Sequence, residues 1–201
     1  MGRLFYIMGK SASGKDTLYR ILAGDQSLDL RLVVPYTTRP IRQGEQEGGT
    51  YHFVDKERLD ELAAQGRVIE SRCYHTVHGD WYYFTADDGQ IDLLKGDYLM
   101  IGTLESYEKT REYLGKDRVV PIYVEVEDGE RLQRALNRER IQKEPKYQEM
   151  CRRFLADAED FSEEQLERLE IVRRFRNDTM ERCLAEIRAY ITGGCQEYDR
   201  I

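Results

Sequence analysis

Apolar positions along this chain fall into short continuous runs and one-sided stripes, and the two kinds alternate. Leu4-Phe-Tyr-Ile-Met8 is an unbroken apolar run of strand length, and Tyr98–Ile101 and Val119–Val126 are two more. Runs of this kind predict strands buried on both faces of a parallel sheet. Helical spacing follows each of them, over Gly14–Ala23 after the first. Leu30–Pro35 is a further apolar run that leads into a polar loop. Asp55–Gly66 predicts a helix: Asp55 suits the N-cap, Leu59, Leu62 and Ala63 make one stripe, and Gly66 ends it. Thr50–Val54, Arg67–Tyr74 and Trp81–Thr85 surround that helix with β-branched and aromatic residues. They predict a small antiparallel insertion between crossovers of the main sheet. The tail predicts a short strand, Ile171–Phe175, and a last amphipathic helix, Met180–Ile191. Strands alternating with helices make an α/β chain, and without repeats or a linker it reads as one domain, 1–201.

Composition narrows the class. With 201 residues, 40% hydrophobic and 34% charged, the chain can bury a core, which excludes collagen-like and wholly disordered proteins. No apolar run approaches a membrane span, and the N-terminus has no signal-peptide layout. The four cysteines (73, 151, 183, 195) lack paired spacing, so reduced thiols and a cytoplasmic location are expected. His52, His75 and His78 lack metal-like spacing with cysteine and read as structural. A net charge of −7 argues against nucleic acid and anionic membranes as partners. The charge is uneven, however. Residues 131–153 hold eight Lys or Arg against three Glu, while 154–170 hold seven acids against one Arg. Two solvated helix faces of opposite sign, or a local site for anions, both account for that.

Gly9-Lys-Ser11-Ala12-Ser13-Gly14-Lys15-Asp16-Thr17 follows a predicted strand and opens a predicted helix, the context a phosphate-binding P-loop requires. Glycines let backbone N–H groups turn toward phosphate oxygens, the helix N-terminus adds partial positive charge, and Lys15 reaches the outer phosphates. A chance glycine-rich turn is the competing explanation. Asp16 stands where a Mg²⁺-ligating Ser or Thr is usual; its carboxylate is also a hard oxygen ligand and is a candidate for Mg²⁺. Thr17 can supply a hydroxyl beside the phosphates.

Farther on comes Thr37-Thr38-Arg39-Pro-Ile-Arg42-Gln-Gly44-Glu45, then Gly48 and Tyr51-His-Phe53. Two arginines three apart can aim planar donor forks at one phosphate, and a tyrosine hydroxyl can join them. With the P-loop ahead of it, this pattern resembles the guanylate kinase family. The resemblance implies an α/β fold of the P-loop NTPase type: a three-layer sandwich around a parallel sheet. It also implies a small antiparallel acceptor-binding insertion (35–85) and a helical lid (131–153), with 1–34, 86–130 and 154–201 as core. The activity implied is transfer of the ATP γ-phosphoryl group to GMP or dGMP, with Mg²⁺. Arg39, Arg42 and Tyr51 would hold the acceptor phosphate. Glu70 would accept from guanine N1–H and its exocyclic amine, Tyr83 would be another phosphate ligand, and Thr85 a hydroxyl for O6. Arg134, Arg138 and Arg153 are candidate catalytic lid arginines beside Lys15, with Arg140 and Arg152 as rivals. Asn177 would lie near the donor base, although a helix N-cap at Asn177 or Asp178 explains those residues equally well.

The pattern breaks in two places. The family's Asp-x-Asp pair is missing from Leu99-Met-Ile-Gly-Thr-Leu-Glu105, and Pro35-Tyr36 replaces a serine. Glu105 or Thr103 is a possible substitute at the base, or Glu105 is an exposed helix-start residue. A carboxylate lost from the sheet edge and regained at Asp16 is one hypothesis. A related kinase acting on a phosphorylated sugar such as ribose 1,5-bisphosphate is an alternative, as is a non-catalytic phosphopeptide-binding module. Lys15, which such modules usually lack, argues against the module.

Overall fold

The computed structural model describes residues 1–42, 44–76 and 79–193. Five parallel strands form the main sheet in the order β2-β7-β1-β8-β9. They are β1 (Leu4–Met8), β2 (Arg31–Leu32), β7 (Tyr98–Ile101), β8 (Val119–Glu125) and β9 (Arg174–Arg176). All five residues of β1 are fully buried. Their side chains alternate between two cores: Leu4, Tyr6 and Met8 join Tyr107, Leu166 and Phe161 on one face. Phe5 and Ile7 join Leu18, Leu22 and Ile187 on the other. Helix α1 (Lys15–Ala23) and helix α7 (Met180–Thr192) cover the second face, and α3 (Leu104–Leu114) with α6 (Glu163–Arg168) covers the first. The three-layer sandwich is therefore present.

The insertion is a second sheet in the order β4-β3-β6-β5, made of β3 (Tyr36–Thr37), β4 (His52–Phe53), β5 (Val68–Thr76) and β6 (Gly79–Ala86). It is not wholly antiparallel as expected, because β3 pairs with β4 in parallel. The chain leaves β3 at its far end through the arginine loop and crosses back to the end where β3 began before entering β4, so the two strands cannot form a hairpin. Helix α2 (Lys56–Ala64) packs Leu59 and Leu62 on this sheet, with Asp55 accepting from the Arg58 N–H at 2.8 Å as its N-cap. The run Leu30–Pro35 yields only the two-residue edge strand β2, and the last strand lies at 174–176 rather than 171–175. The basic stretch is carried by α4 (Asp128–Arg140) and α5 (Tyr147–Asp160), so the expected lid bounds cut into both helices. Among the described residues no helix is long and apolar enough to cross a membrane. Cys195 and His78 lie outside the described residues.

Candidate active site

The P-loop leaves the C-terminal end of the central strand, where α/β sheets bind their ligands. Its backbone is turned by residues in the left-handed region, Ala12 at φ 63° and Gly14 at φ 86°. Gly14 is required twice over, since a Cβ there would also lie 2.5 Å from the Asn177 amide nitrogen. That amide, almost fully buried, donates to the Ser13 carbonyl at 2.7 Å. Asn177 does not cap α7, whose N-cap is Thr179; it braces the loop from behind. A second brace comes from the basic stretch. Arg131, 1% exposed, donates to the Ser11 carbonyl at 2.9 Å and to Asp157 at 3.2 Å, while Asp157 accepts from the Ser11 N–H at 2.7 Å. Ser13 N–H bonds to the Lys10 carbonyl. Among the described residues, the N–H groups of Ala12, Gly14, Lys15 and Asp16 have no acceptor and remain for an anion. Gly9 lies against the Val124 carbonyl, and the buried Ser13 hydroxyl lacks a partner. Lys15 Nζ stands 3.4 Å from the exposed carboxylate of Asp16, and Thr17 accepts from Arg20 at 3.4 Å.

Across the cleft, Arg39 is 4% exposed and clamped by Glu45, with Nη1 to Oε2 at 2.7 Å and Nη2 to Oε1 at 2.5 Å. Glu45 also accepts from the Arg42 N–H at 2.8 Å. The Arg39 guanidinium holds the Glu45 carboxyl well below its usual range, at about 2. Arg39 also lies 5.3 Å from the ring of Tyr51, and the Tyr51 and Tyr83 rings meet edge to face at 5.4 Å. Burial first, then the neighbouring Tyr83 hydroxyl, raises the pKa of the Tyr51 hydroxyl.

The floor of the pocket departs from expectation. A register shift between Val68 and Glu70 re-aims β5. The Glu70 side chain has no accessible surface. Its oxygens accept from Arg72 Nε at 3.0 Å, from Arg72 Nη2 at 3.4 Å and from the Thr85 hydroxyl at 2.9 Å. Thr85 thus spends its one hydroxyl proton on Glu70 and has none for a carbonyl of the acceptor, against the sequence expectation. Arg72 Nη1 donates to Thr103 Oγ1 at 3.0 Å, and Thr103 also caps α3 through the Ser106 N–H. Glu105 pairs with Lys109 instead of entering the pocket. The missing aspartate pair has a steric counterpart: a Cβ on Gly102 would fall 2.1 Å from the Tyr6 hydroxyl, which donates to Ser106 at 2.7 Å. Tyr36, which stands with Pro35 where the family has a serine, turns its hydroxyl to Asp88 and stacks on Phe84.

Between the two halves lies a cleft of about 510 Å³ lined by Ser11, Arg42, Arg138, Glu149, Arg153 and Phe154, among others. The structure thus brings Arg138 and Arg153 together with the loop and an acceptor arginine. Arg134 is placed elsewhere, donating to Glu130 at 2.9 Å and to the Asn177 carbonyl at 3.1 Å. Arg140 is exposed, and Arg152 and Arg153 share Glu149, whose carboxyl they hold at about 2. Sequence reasoning missed Arg72, Arg131 and Asp157. An i, i+2 spacing from Glu70 on a strand was a usable signal for Arg72; nothing local marked the other two, 120 and 146 residues from their contact. It also set His75 aside, yet Cys73, His75 and Asp80 offer ligand atoms within 4.8 Å of one another on the outer face of the β5–β6 hairpin. Asp80 arrives from across the turn, which spacing from cysteine cannot reveal.

A parallel sheet with this loop at the end of its central strand defines a P-loop α/β protein. The guanylate kinase family model matches residues 1–87. A curated guanylate kinase of Alkalilimnicola ehrlichii is 30% identical over 200 residues, covering 99% of this chain and 92% of that protein. On that full-length likeness, the chain belongs to the guanylate kinase family. The guanylate kinase of Neisseria gonorrhoeae is 42% identical over 101 residues, 50% of this chain; the chain spans about half the length of such relatives, 46% in this case. A crystal structure of guanylate kinase from Anaplasma phagocytophilum shares the fold, with a TM-score of 0.62 at 22% identity over 99% of this chain and 89% of that one.

Proposed function

We propose that the protein transfers the γ-phosphoryl group of ATP to GMP or dGMP, giving ADP and GDP. The observation that carries this reading is a single cleft onto which the P-loop, Arg42, Arg138 and Arg153 all open. Such a reaction needs no protein nucleophile. It needs two anions that repel each other to be aligned, and the charge on the moving group to be stabilised. Lys15 and the free loop N–H groups hold the donor phosphates. Arg39, oriented by Glu45, holds the acceptor phosphate with Arg42, Tyr51 and Tyr83. Arg138 and Arg153 supply positive charge above the transferring group. Asn177 and Arg134 act on the donor side by fixing the loop. Mg²⁺ fits this site: Asp16 is a hard oxygen donor, exposed beside Lys15 and bound only by that 3.4 Å pair, which suits a cation held by one carboxylate plus phosphates. When bound, it neutralises phosphate charge. The expected location is the cytoplasm, where free thiols such as Cys73 and Cys151 stay reduced. The test is a coupled assay of ADP release with ATP and Mg²⁺ against GMP, dGMP, AMP, UMP and ribose 1,5-bisphosphate. GMP and dGMP are expected to turn over; turnover only with the sugar phosphate, or none at all, would overturn the reading.

A further inference from the structure

We propose that the β5–β6 hairpin carries a metal site of its own, built by Cys73, His75 and Asp80, and that it takes Zn²⁺. The inference does not depend on which acceptor is phosphorylated in the cleft. Cys73 and His75 stand two apart on β5, so both side chains project from one face of the strand. Asp80 lies directly opposite His75 in the antiparallel register, which puts it on that same face. One sulfur, one imidazole nitrogen and one carboxylate oxygen thereby come within 4.8 Å of one another, and all three residues are exposed. His75 Nδ1 and Asp80 Oδ1 already share a hydrogen bond at 2.7 Å. Around tetrahedral zinc, ligand atoms stand about 3.3–3.6 Å apart, so the shifts needed are on the order of 1 Å and within reach of exposed rotamers.

The donor set selects the metal. A thiolate with an imidazole favours Zn²⁺ over Mg²⁺, which prefers oxygen ligands alone. Three protein ligands leave the fourth position to water. The sulfur–zinc bond forms as the Cys73 S–H breaks, and the proton goes to solvent. A cross-strand His–Asp pair accounts for two of the three groups; the thiol on the same face is what makes a metal site of them. Lys56 of α2, over the Tyr82 ring at 5.1 Å, gives its charge to Asp60 rather than to Asp80. The opposite face of the same two strands carries the Arg72–Tyr83 pair, and Tyr83 packs on Tyr51. A cation that ties β5 to β6 therefore stiffens the strand pair from which Tyr83 projects.

Zn²⁺ itself is the probe, titrated calorimetrically into the full reduced chain without nucleotide and with Mg²⁺ in excess. Expected is one ion per chain with a Kd of about 1 μM or tighter. Cys73→Ala and His75→Ala should each weaken binding by at least about tenfold, and Asp80→Asn by roughly tenfold. Cys151→Ala, which removes the exposed thiol of α5, should bind as wild type does. Co²⁺ in place of Zn²⁺ should give a thiolate-to-metal charge-transfer band that Cys73→Ala abolishes. Amide exchange along β5 and β6 should slow when Zn²⁺ is added to wild type and not when it is added to Cys73→Ala. All the substituted residues are exposed, and circular dichroism checks that each variant is folded. No binding at about 100 μM Zn²⁺, or binding that survives both Cys73→Ala and His75→Ala, would overturn the site. Unchanged exchange in the zinc-bound chain would overturn the stiffening of the hairpin.

Discussion

The two halves of the cleft present different atoms to a ligand. The P-loop half, the donor side of the proposed reaction, presents backbone N–H donors of 12 and 14–16 through the turn of the loop. The insertion half, its proposed acceptor side, presents the side chains of Arg39, Tyr51 and Tyr83, packed against one another. A backbone cradle tolerates a changed letter such as Asp16, because the donors do not belong to the side chain. A side-chain pocket does not: with no aspartate at the sheet edge, the floor is a rearranged network of Glu70, Arg72, Thr85 and Thr103. Support differs as well. The loop is braced from three distant places, Arg131, Asp157 and Asn177, whereas Arg39 depends on Glu45 within its own loop.

The largest effect expected from breaking this contrast is on the donor side. Lys15→Met removes the cation proposed to reach the outer phosphates and should cut kcat by about a thousandfold or more, read in the ADP-release assay. Next is the brace. Arg131→Ala leaves the half-buried Asp157 without its cation and frees the Ser11 carbonyl, which should destabilise by roughly 2 kcal/mol, about 4–8 °C in Tm by calorimetry. Asp157→Asn, which keeps an acceptor for Arg131, should cost less than half of that; equal losses would contradict the brace.

On the acceptor side, Glu45→Gln unclamps Arg39 and should raise KM for GMP about tenfold with little change in KM for ATP. The pair also has a pH signature. The folded carboxyl of Glu45 is held at about 2 against an ordinary value of 4.5, so its stabilisation is complete above the ordinary value and lost as pH falls toward 2. Tm measured from pH 5 to pH 2.5 should fall more steeply for wild type than for Glu45→Gln; parallel slopes would count against the clamp. The smallest effect sharpens the role of the changed letter: Asp16→Ser should shift the Mg²⁺ dependence of turnover by a few-fold, ~3 to 10. A Mg²⁺ titration that superimposes on wild type would remove Asp16 from the metal site.

Legibility in the chain follows the same division. Strand β1, the loop, α1 and the Asp55-capped α2 were readable because each is written in consecutive residues and repeating faces. The arginine pair, Tyr51 and Glu70 were readable as a spaced motif. The basic stretch was readable as charge but not as role: Arg131 is buried against the loop, Arg134 faces Asn177, and Arg138 and Arg153 line the cleft. A helix presents its successive arginines to different neighbours, and which neighbour lies on which side is a tertiary fact. The parallel pairing of β3 with β4 was hidden for a similar reason, since pairing direction depends on the path of the intervening loop.

What the sequence determined by itself is the local chemistry: a phosphate cradle, an arginine pair with its tyrosine, and an α/β alternation that places both after strands. Those features act through neighbours a few residues away, so their spacing is their geometry. Tertiary structure alone decided which groups are left to meet a ligand. The burial of Glu70, the pairing of Arg72 with residues on either side of the cleft and the closure of Gly102 by Tyr6 depend on contacts between segments up to about a hundred residues apart. Donors and acceptors are conserved quantities: each proton given inside the fold is withdrawn from the ligand, and only the folded chain shows that account in full.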